Sequence, residues 1–239
     1  MKRETRQTVK KRLEVRLREF KKIYENIYKC KKEIRKNYKN IPCDCRSESS
    51  QTRSRRLQRR AIGQTTCGED CINRIQKIEC GSNCPSGNEC LNQQIQKKNY
   101  SDVEVFETER KGLGLRARKA IFEGDFIMEF VGEVLDKSEF DKRYSQCSEE
   151  PNFYFLKLNN RNYIDATKTG NYSRFINHSC DPNAIFQAWI VNGLERIGVF
   201  ATRKITCGEE ITCDYQCDDI SDEQRQECQC ESTNCRGFL

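Results

Sequence analysis

The chain has 239 residues, of which 33% are charged and 36% hydrophobic, with 16 cysteines and a single histidine. That length allows one or two domains with a real core, while the charge leaves a good part of the chain solvated. No apolar run is long enough to span a bilayer, and the opening Met1-Lys2-Arg3-Glu4 lacks the apolar stretch of a secretory signal, so no membrane partner is expected. The overall charge of +7 is uneven: residues 1–60 hold 22 Lys/Arg against 7 Asp/Glu, a net of +15, which leaves −8 on the remainder. An acidic body with a basic arm suits a protein that meets both nucleic acid and a basic peptide.

In chain order, residues 1–40 read as one helix, and 1–42 as a basic amphipathic unit. Leu13, Leu17, Phe20, Tyr24 and Ile27 fall at spacings of four and three, an apolar stripe with Lys and Arg on the other faces. The stripe suits packing on the chain's own domain. The basic faces suit a grip on DNA phosphates, a nuclear-import signal or a short coiled-coil contact.

Seven cysteines follow over 43–95: Cys43, Cys45, Cys67, Cys71, Cys80, Cys84 and Cys90. Without a secretory signal, their C-x-C and C-x3-C spacings read as thiolate metal sites in a reducing compartment rather than as disulfides. Two tetrahedral zinc sites need eight thiolate positions, which seven thiols supply if one sulfur bridges the metals. The insert 46–66, with Arg53, Arg55, Arg56, Arg59 and Arg60, reads as a solvated loop within reach of DNA.

From Val103 short strands and turns take over, and 100–216 reads as a mainly β domain. Strands are expected at Val103–Phe106 and Phe126–Val131, and a short helix at Asp136–Tyr144. Hairpins are expected about Asn159-Asn160-Arg161-Asn162 and about Asn192-Gly193, the strongest hairpin signal in the chain. No βαβ alternation appears, which excludes a Rossmann-type nucleotide fold. The tail Cys228, Cys230 and Cys235, in the last segment 217–239, repeats a metal-type spacing, C-x-C-x4-C. Cys30, Cys147, Cys207, Cys213 and Cys217 are left over as reduced thiols.

Two separated stretches concentrate polar chemistry. Arg174-Phe175-Ile176-Asn177-His178-Ser179-Cys180-Asp181-Pro182-Asn183 contains the only histidine and ends in a turn signal, and Gly208-Glu209-Glu210-Ile211-Thr212-Cys213-Asp214-Tyr215 delivers Asp214 and Tyr215 after a turn. Both resemble the signature segments of the SET-domain protein-lysine methyltransferases. The layout from about Cys43 to Leu239 is similar to the branch with an AWS zinc module before the SET domain and a post-SET zinc motif after it, the branch that contains the enzymes for lysine 36 of histone H3. The resemblance implies several small curved sheets with a C-terminal segment threaded under a loop. It puts Cys43, Cys45, Cys67 and Cys71 on one zinc, Cys67, Cys80, Cys84 and Cys90 on a second, and Cys180, Cys228, Cys230 and Cys235 on a third. It implies S-adenosylmethionine as cofactor, against Lys111, Gly112, Leu113, Asn152, Phe153, Tyr154, Asn177, His178, Gln226 and Gln229. Tyr215 matches the catalytic tyrosine, and Cys213 with Tyr154 lines the substrate channel. Relatives carry Phe or Tyr at the position of Cys213, often Trp at Leu113 and Tyr at Phe153, and frequently an aromatic residue at Gln229. The resemblance further implies the histone H3 tail and the nucleosome as partners, in the nucleus on chromatin. The alternatives are a module that binds chromatin with weak catalysis or none, which these departures motivate, and a methyltransferase for another histone lysine or for a non-histone lysine.

Overall fold

A computed structural model describes residues 13–14, 16–35, 42–45, 67–146, 154–215 and 227–238. Thirteen short strands and two α-helices run within them, with 3-10 turns at Gly87–Glu89 and Tyr172–Phe175 and helical backbone at Leu13, Glu14 and Arg16. The strands are β1 Lys21–Lys22, β2 Ile27–Tyr28, β3 Val103–Glu107, β4 Leu113–Ala117, β5 Phe126–Phe130, β6 Glu133–Asp136, β7 Phe155–Lys157, β8 Asn162–Asp165, β9 Thr169–Gly170, β10 Asn177–His178, β11 Ala184–Val191, β12 Leu194–Ala201 and β13 Thr212–Cys213; the helices are α1 Ile72–Ile75 and α2 Lys137–Gln146. The strands make five small sheets: β3-β4, β11-β12-β5, β2-β6-β8-β7, and the parallel pairs β1-β9 and β10-β13. No helix among the described residues is long and apolar enough to cross a membrane.

Turn chemistry places the two expected hairpins. At Asn192-Gly193 both residues take positive φ, 51° and 81°, the two-residue turn that matches strand twist, and β11 and β12 pair in register from Val191↔Leu194 to Ala184↔Ala201. At the other, the Asn159 side-chain oxygen accepts the N–H groups of Arg161 and Asn162, and β7 and β8 run back from it.

The expected helix over 1–40 does not extend through residues 21–28. There the backbone donors go to the sheets: Lys21 N–H to Lys168 O, Ile23 N–H to Gly170 O, Ile27 N–H to Gly132 O and Lys29 N–H to Val134 O. The stripe nevertheless finds a core, because Phe20 is buried and Leu13 and Leu17 pack against the same cluster, around Leu115, Ile127, Phe175, Val199 and Ile211. Before that stretch, Leu13, Glu14 and Arg16 are helical, with Leu17 N–H bonded to Leu13 O. Tertiary pairing overrides a helical period from Lys21 to Tyr28.

The cysteine-rich module docks on the outer strand of the three-stranded sheet. Glu79 N–H donates to Ile190 O and Ile190 N–H to Lys77 O, while Ile95, Phe126, Trp189, Val191 and Phe200 form the apolar seam. Nearby, Glu129 on β5 is wholly buried and receives a two-pronged hydrogen bond from Arg196 on β12. At the far end, the turn at Gly208 is closed by Glu209, whose carboxylate accepts from Thr206 N–H (2.9 Å), the Asn183 amide (2.9 Å) and Arg203 (2.7 Å).

Removing one partner of a buried pair leaves the other charge uncompensated. Arg196→Met is expected to lower unfolding free energy by about 3–5 kcal/mol, and the double change Arg196→Met with Glu129→Leu by less. Urea denaturation of both variants checks this, and a single variant that loses less than the double sinks it. Glu209 gives a pH signature. Partial burial pushes its carboxyl up, but the Thr206, Asn183 and Arg203 donors outweigh that and hold it at about 2. A depressed carboxyl contributes stability that is complete above the unfolded value of about 4.3 and fades as pH falls toward 2. Glu209→Gln should therefore lower the urea midpoint at pH 6 and converge on the parent near pH 2.

Candidate active site

The site is assembled by the parallel pairing of β10 and β13, in which Asn177 faces Thr212 and His178 faces Cys213. Asn183, buried at the end of the first signature stretch, staples the two together: its amide donates to Glu210 O (2.8 Å), and its oxygen accepts Thr212 N–H (2.9 Å). The chain leaves β13 at Asp214 and presents Tyr215 half-exposed beside the histidine. The Tyr215 hydroxyl donates to Ile176 O at 2.7 Å, and its N–H donates to His178 Nδ1 at 3.2 Å. With its proton committed to Ile176, the phenol oxygen keeps lone pairs able to accept from an incoming N–H.

His178 is buried, which pulls its imidazole below the ordinary value despite Asp214 close by. Accepting at Nδ1 places the ring proton of the neutral form on Nε2, which lies 3.3 Å from Cys180 Sγ. Asp214 is in turn held by Arg236 at 2.7 Å.

Opposite this pair lies the glycine turn between β3 and β4. Thr108 N–H donates to Gly112 O, and Lys111 N–H to Thr108 Oγ1. Gly112 sits at φ +72°, open to glycine and strained for other residues. Glu210 ties the turn to the signature strands, accepting from Lys111 Nζ (2.7 Å) at one oxygen and from Asn177 Nδ2 (2.8 Å) at the other, while Asn177 also donates to Leu113 O (3.1 Å). A Cβ on Gly114 would collide with Glu210 Oε1, Thr108 and Phe106, so that glycine makes room for the bridge.

The structure thus brings Lys111, Gly112, Leu113, Asn177, His178 and Tyr215 into one bonded constellation. Tyr154 stands by a different wall, where its carbonyl accepts Ala166 N–H (2.8 Å) and its ring receives the Arg174 guanidinium at 3.9 Å. Cys213 is completely buried, and burial pushes its thiol up, so it remains a neutral small side chain. Gln229 is exposed in the tail. Asn152, Phe153 and Gln226 lie outside the described residues, as do Cys147 and Cys217. Sequence reading missed Glu210, Asn183 and Arg174 as working parts. All three stand within the two signature stretches, and their charge and amide chemistry was the signal.

The cysteines gather as metal-ligating sets. Sulfurs of Cys43, Cys45, Cys67 and Cys71 lie within 4.8 Å of one another, as do those of Cys180, Cys228, Cys230 and Cys235. A second set in the N-terminal module groups Cys43, Cys67, Cys80 and Cys84. Cys90, expected in the second set with Cys67, Cys80 and Cys84, is buried and hydrogen-bonded to Cys80 and Cys84. Cys43 also lies near this set, 3.5 Å from Cys67 and 3.7 Å from Cys84. Tetrahedral zinc with Zn–S of about 2.3 Å sets its sulfurs about 3.8 Å apart. The observed separations of 3.4 to 3.9 Å fit that geometry. The amides of Asn73 and Asn92 donate to Cys80 Sγ, as suits a thiolate. The described cysteines are all free.

Comparison with known families finds an AWS domain over residues 64–98 and a SET domain over 112–216. Human histone-lysine N-methyltransferase SETD2 is 44% identical over 222 residues, which is 91% of this chain and 8% of that protein. Set2 of Drosophila melanogaster is 43% identical over 93% of the chain and 9% of the relative. A histone-lysine N-methyltransferase of Aspergillus fumigatus, named as H3 lysine-36 specific, is 44% identical over 83% of the chain and 20% of the relative. The chain thus spans between about a twelfth and a quarter of the curated relatives it matches. With the two signature stretches joined in one site behind a cysteine-rich module, the chain belongs to the SET-domain family, in the branch that places an AWS module ahead of the SET domain.

Proposed function

We propose that this chain transfers methyl groups from S-adenosylmethionine to a lysine ε-amine of histone H3, lysine 36, on nucleosomes in the nucleus. The observation that carries the reading is the β10-β13 pairing, which sets Tyr215 against Ile176 and His178 and couples both to the glycine turn through Glu210. The relatives' printed names supply the substrate class. When bound, S-adenosylmethionine supplies an electrophilic methyl group on a sulfonium. The residues present fit it: Gly112, without a side chain, lets a ligand approach the backbone closely beside Leu113, Lys111, Asn177 and His178 offer polar side chains, and Tyr154 a ring. Asn152, Phe153, Gln226 and Gln229 complete the proposed set.

The chain's own part is positioning and dehydration. An ammonium has no lone pair with which to attack, so the substrate lysine must be neutral, and a narrow apolar channel lowers a lysine pKa by desolvation. The Tyr215 oxygen, its own proton turned to Ile176, accepts from the amine and aims its lone pair. Preorganised dipoles of this kind supply most of such a rate gain. Cys213 is smaller than the aromatic residue of relatives and holds no water as a tyrosine hydroxyl would, which leaves room for di- or trimethylation. The acidic body, −8 over residues 61–239, favours a basic histone tail, and the basic region 1–42 contacts nucleosomal DNA without sequence preference. Three structural zincs, two in the AWS module and one at Cys180, Cys228, Cys230 and Cys235, hold the modules in place.

Labelled S-adenosylmethionine with recombinant nucleosomes tests the reading, with the product peptide mapped by mass spectrometry. Wild type should label histone H3 at lysine 36 as di- or trimethyl-lysine, and Tyr215→Phe should lower kcat by about 10²- to 10³-fold. Only monomethyl product would remove the role given to Cys213. No transfer by a folded, zinc-loaded chain would favour a chromatin-binding module instead. Elemental analysis is expected to find three zinc ions per chain and two in Cys235→Ser, with methyl transfer lost alongside the tail metal; an unchanged count in that variant would overturn the tail site.

A further inference from the structure

The segment before both matched domains reaches the candidate site at two points. The Arg16 guanidinium comes within 3.7 Å of the space beside Gly112 that a side chain there would fill. Farther along, Phe20 is buried with its ring edge-on to Phe175 at 5.6 Å. Between Phe20 and Tyr154 lies Arg174. Its guanidinium sits 4.6 Å from the Phe20 centroid and 3.9 Å from that of Tyr154.

The hydrogen bonds of Arg174 run sideways from this sandwich, from Nε to Ala166 O (2.7 Å) and from one terminal nitrogen to Thr167 O (2.8 Å). Those two residues also hold Tyr154, since Ala166 N–H donates to Tyr154 O and the Thr167 hydroxyl accepts Tyr154 N–H at 3.1 Å. Arg174 therefore fixes Tyr154 through both its ring and its backbone. Planar delocalised guanidinium is suited to that double task, being weakly hydrated and able to stack on aromatic faces. Among the described residues no carboxylate is bonded to this guanidinium, and burial pulls its pKa down although Asp165 and Glu19 act on it from farther away. Beyond its two carbonyls the buried cation is stabilised by ring faces, those of Phe20 and Tyr154 nearest and Phe175 at 5.0 Å. The β1-β9 pairing, with Lys21 opposite Thr169, holds Phe20 in place from the neighbouring residue.

We propose that Phe20 is a positioning residue for methyl transfer, acting through Arg174 to fix Tyr154, so that the segment upstream of the AWS and SET domains forms part of the active-site wall. This rests on the methyltransferase reading for its kinetic consequence, and on geometry alone for the clamp.

The test uses the whole zinc-loaded chain with Phe20→Leu, which keeps apolar bulk but removes the ring face, and Phe20→Tyr, which keeps the face. Phe20→Leu should keep its Tm within a few degrees and lower kcat/KM for a histone H3 peptide by about 3- to 30-fold, the span of a desolvated cation–π contact. Phe20→Tyr should return it to within about twofold of wild type. Equal losses in both variants, or none in Phe20→Leu, would overturn the proposal. Amide hydrogen exchange separates the clamp from the activity and from general loosening. Faster exchange at Ala166, with Val199 in the core unchanged, supports the clamp even where Phe20→Leu is less stable or wild type transfers no methyl group. Unchanged exchange at Ala166, or faster exchange at both amides, overturns it.

Discussion

Two residues of parallel strand hold the site together. β10 and β13 are each two residues long and contribute little apolar area, yet their register decides which side chains meet. Side chains alternate across a strand, so a slip of one residue would turn His178 and Cys213 to opposite faces and take Tyr215 away from the Ile176 carbonyl. Such a short pair cannot fix its own register. Asn183 does so from outside, bonding Glu210 O with its amide and Thr212 N–H with its oxygen.

The adjacent carboxylates of the second signature divide the remaining work by that alternation. Glu209 points to Arg203 and Thr206 and closes the turn. Glu210 points across to Lys111 and Asn177 and carries the glycine turn to the strands. The bridge is half-buried at both ends, so it is valued more as a geometric tie than as a source of net stability. Gly114 belongs to the same arrangement, because only an absent side chain leaves Glu210 its path.

Much of this was legible in the sequence where local chemistry decides structure. Asn192-Gly193 demands positive φ twice and so announces its hairpin, and cysteine spacing announces thiolate clusters because ligands must lie on short turns. The signature stretches could be located, and Tyr215 within them, by the resemblance. The helical spacing holds at Leu13, Glu14 and Arg16 but not from Lys21 to Tyr28, because the edges of β6 and β9 that capture that backbone lie far away in sequence. Spacing alone does not divide the seven module thiols, because the fold brings Cys43 and Cys67 within reach of both groups. Arg174 looked like a motif letter until its aromatic neighbours, one of them Phe20, were in place.

The distant pairing of β1 and β2 also bears on how the chain comes to be folded. Lys21 pairs with Thr169 and Ile27 with Glu133, so neither strand can form before those distant partners are in place. Loop closure over such separations is slow and late. During that interval Leu13, Leu17 and Phe20 remain an uncovered apolar stripe in the most basic part of the polypeptide. Covering of that stripe is thus timed by the segment around Gly170, whose backbone must be in place before β1 can pair and set Phe20 into the core.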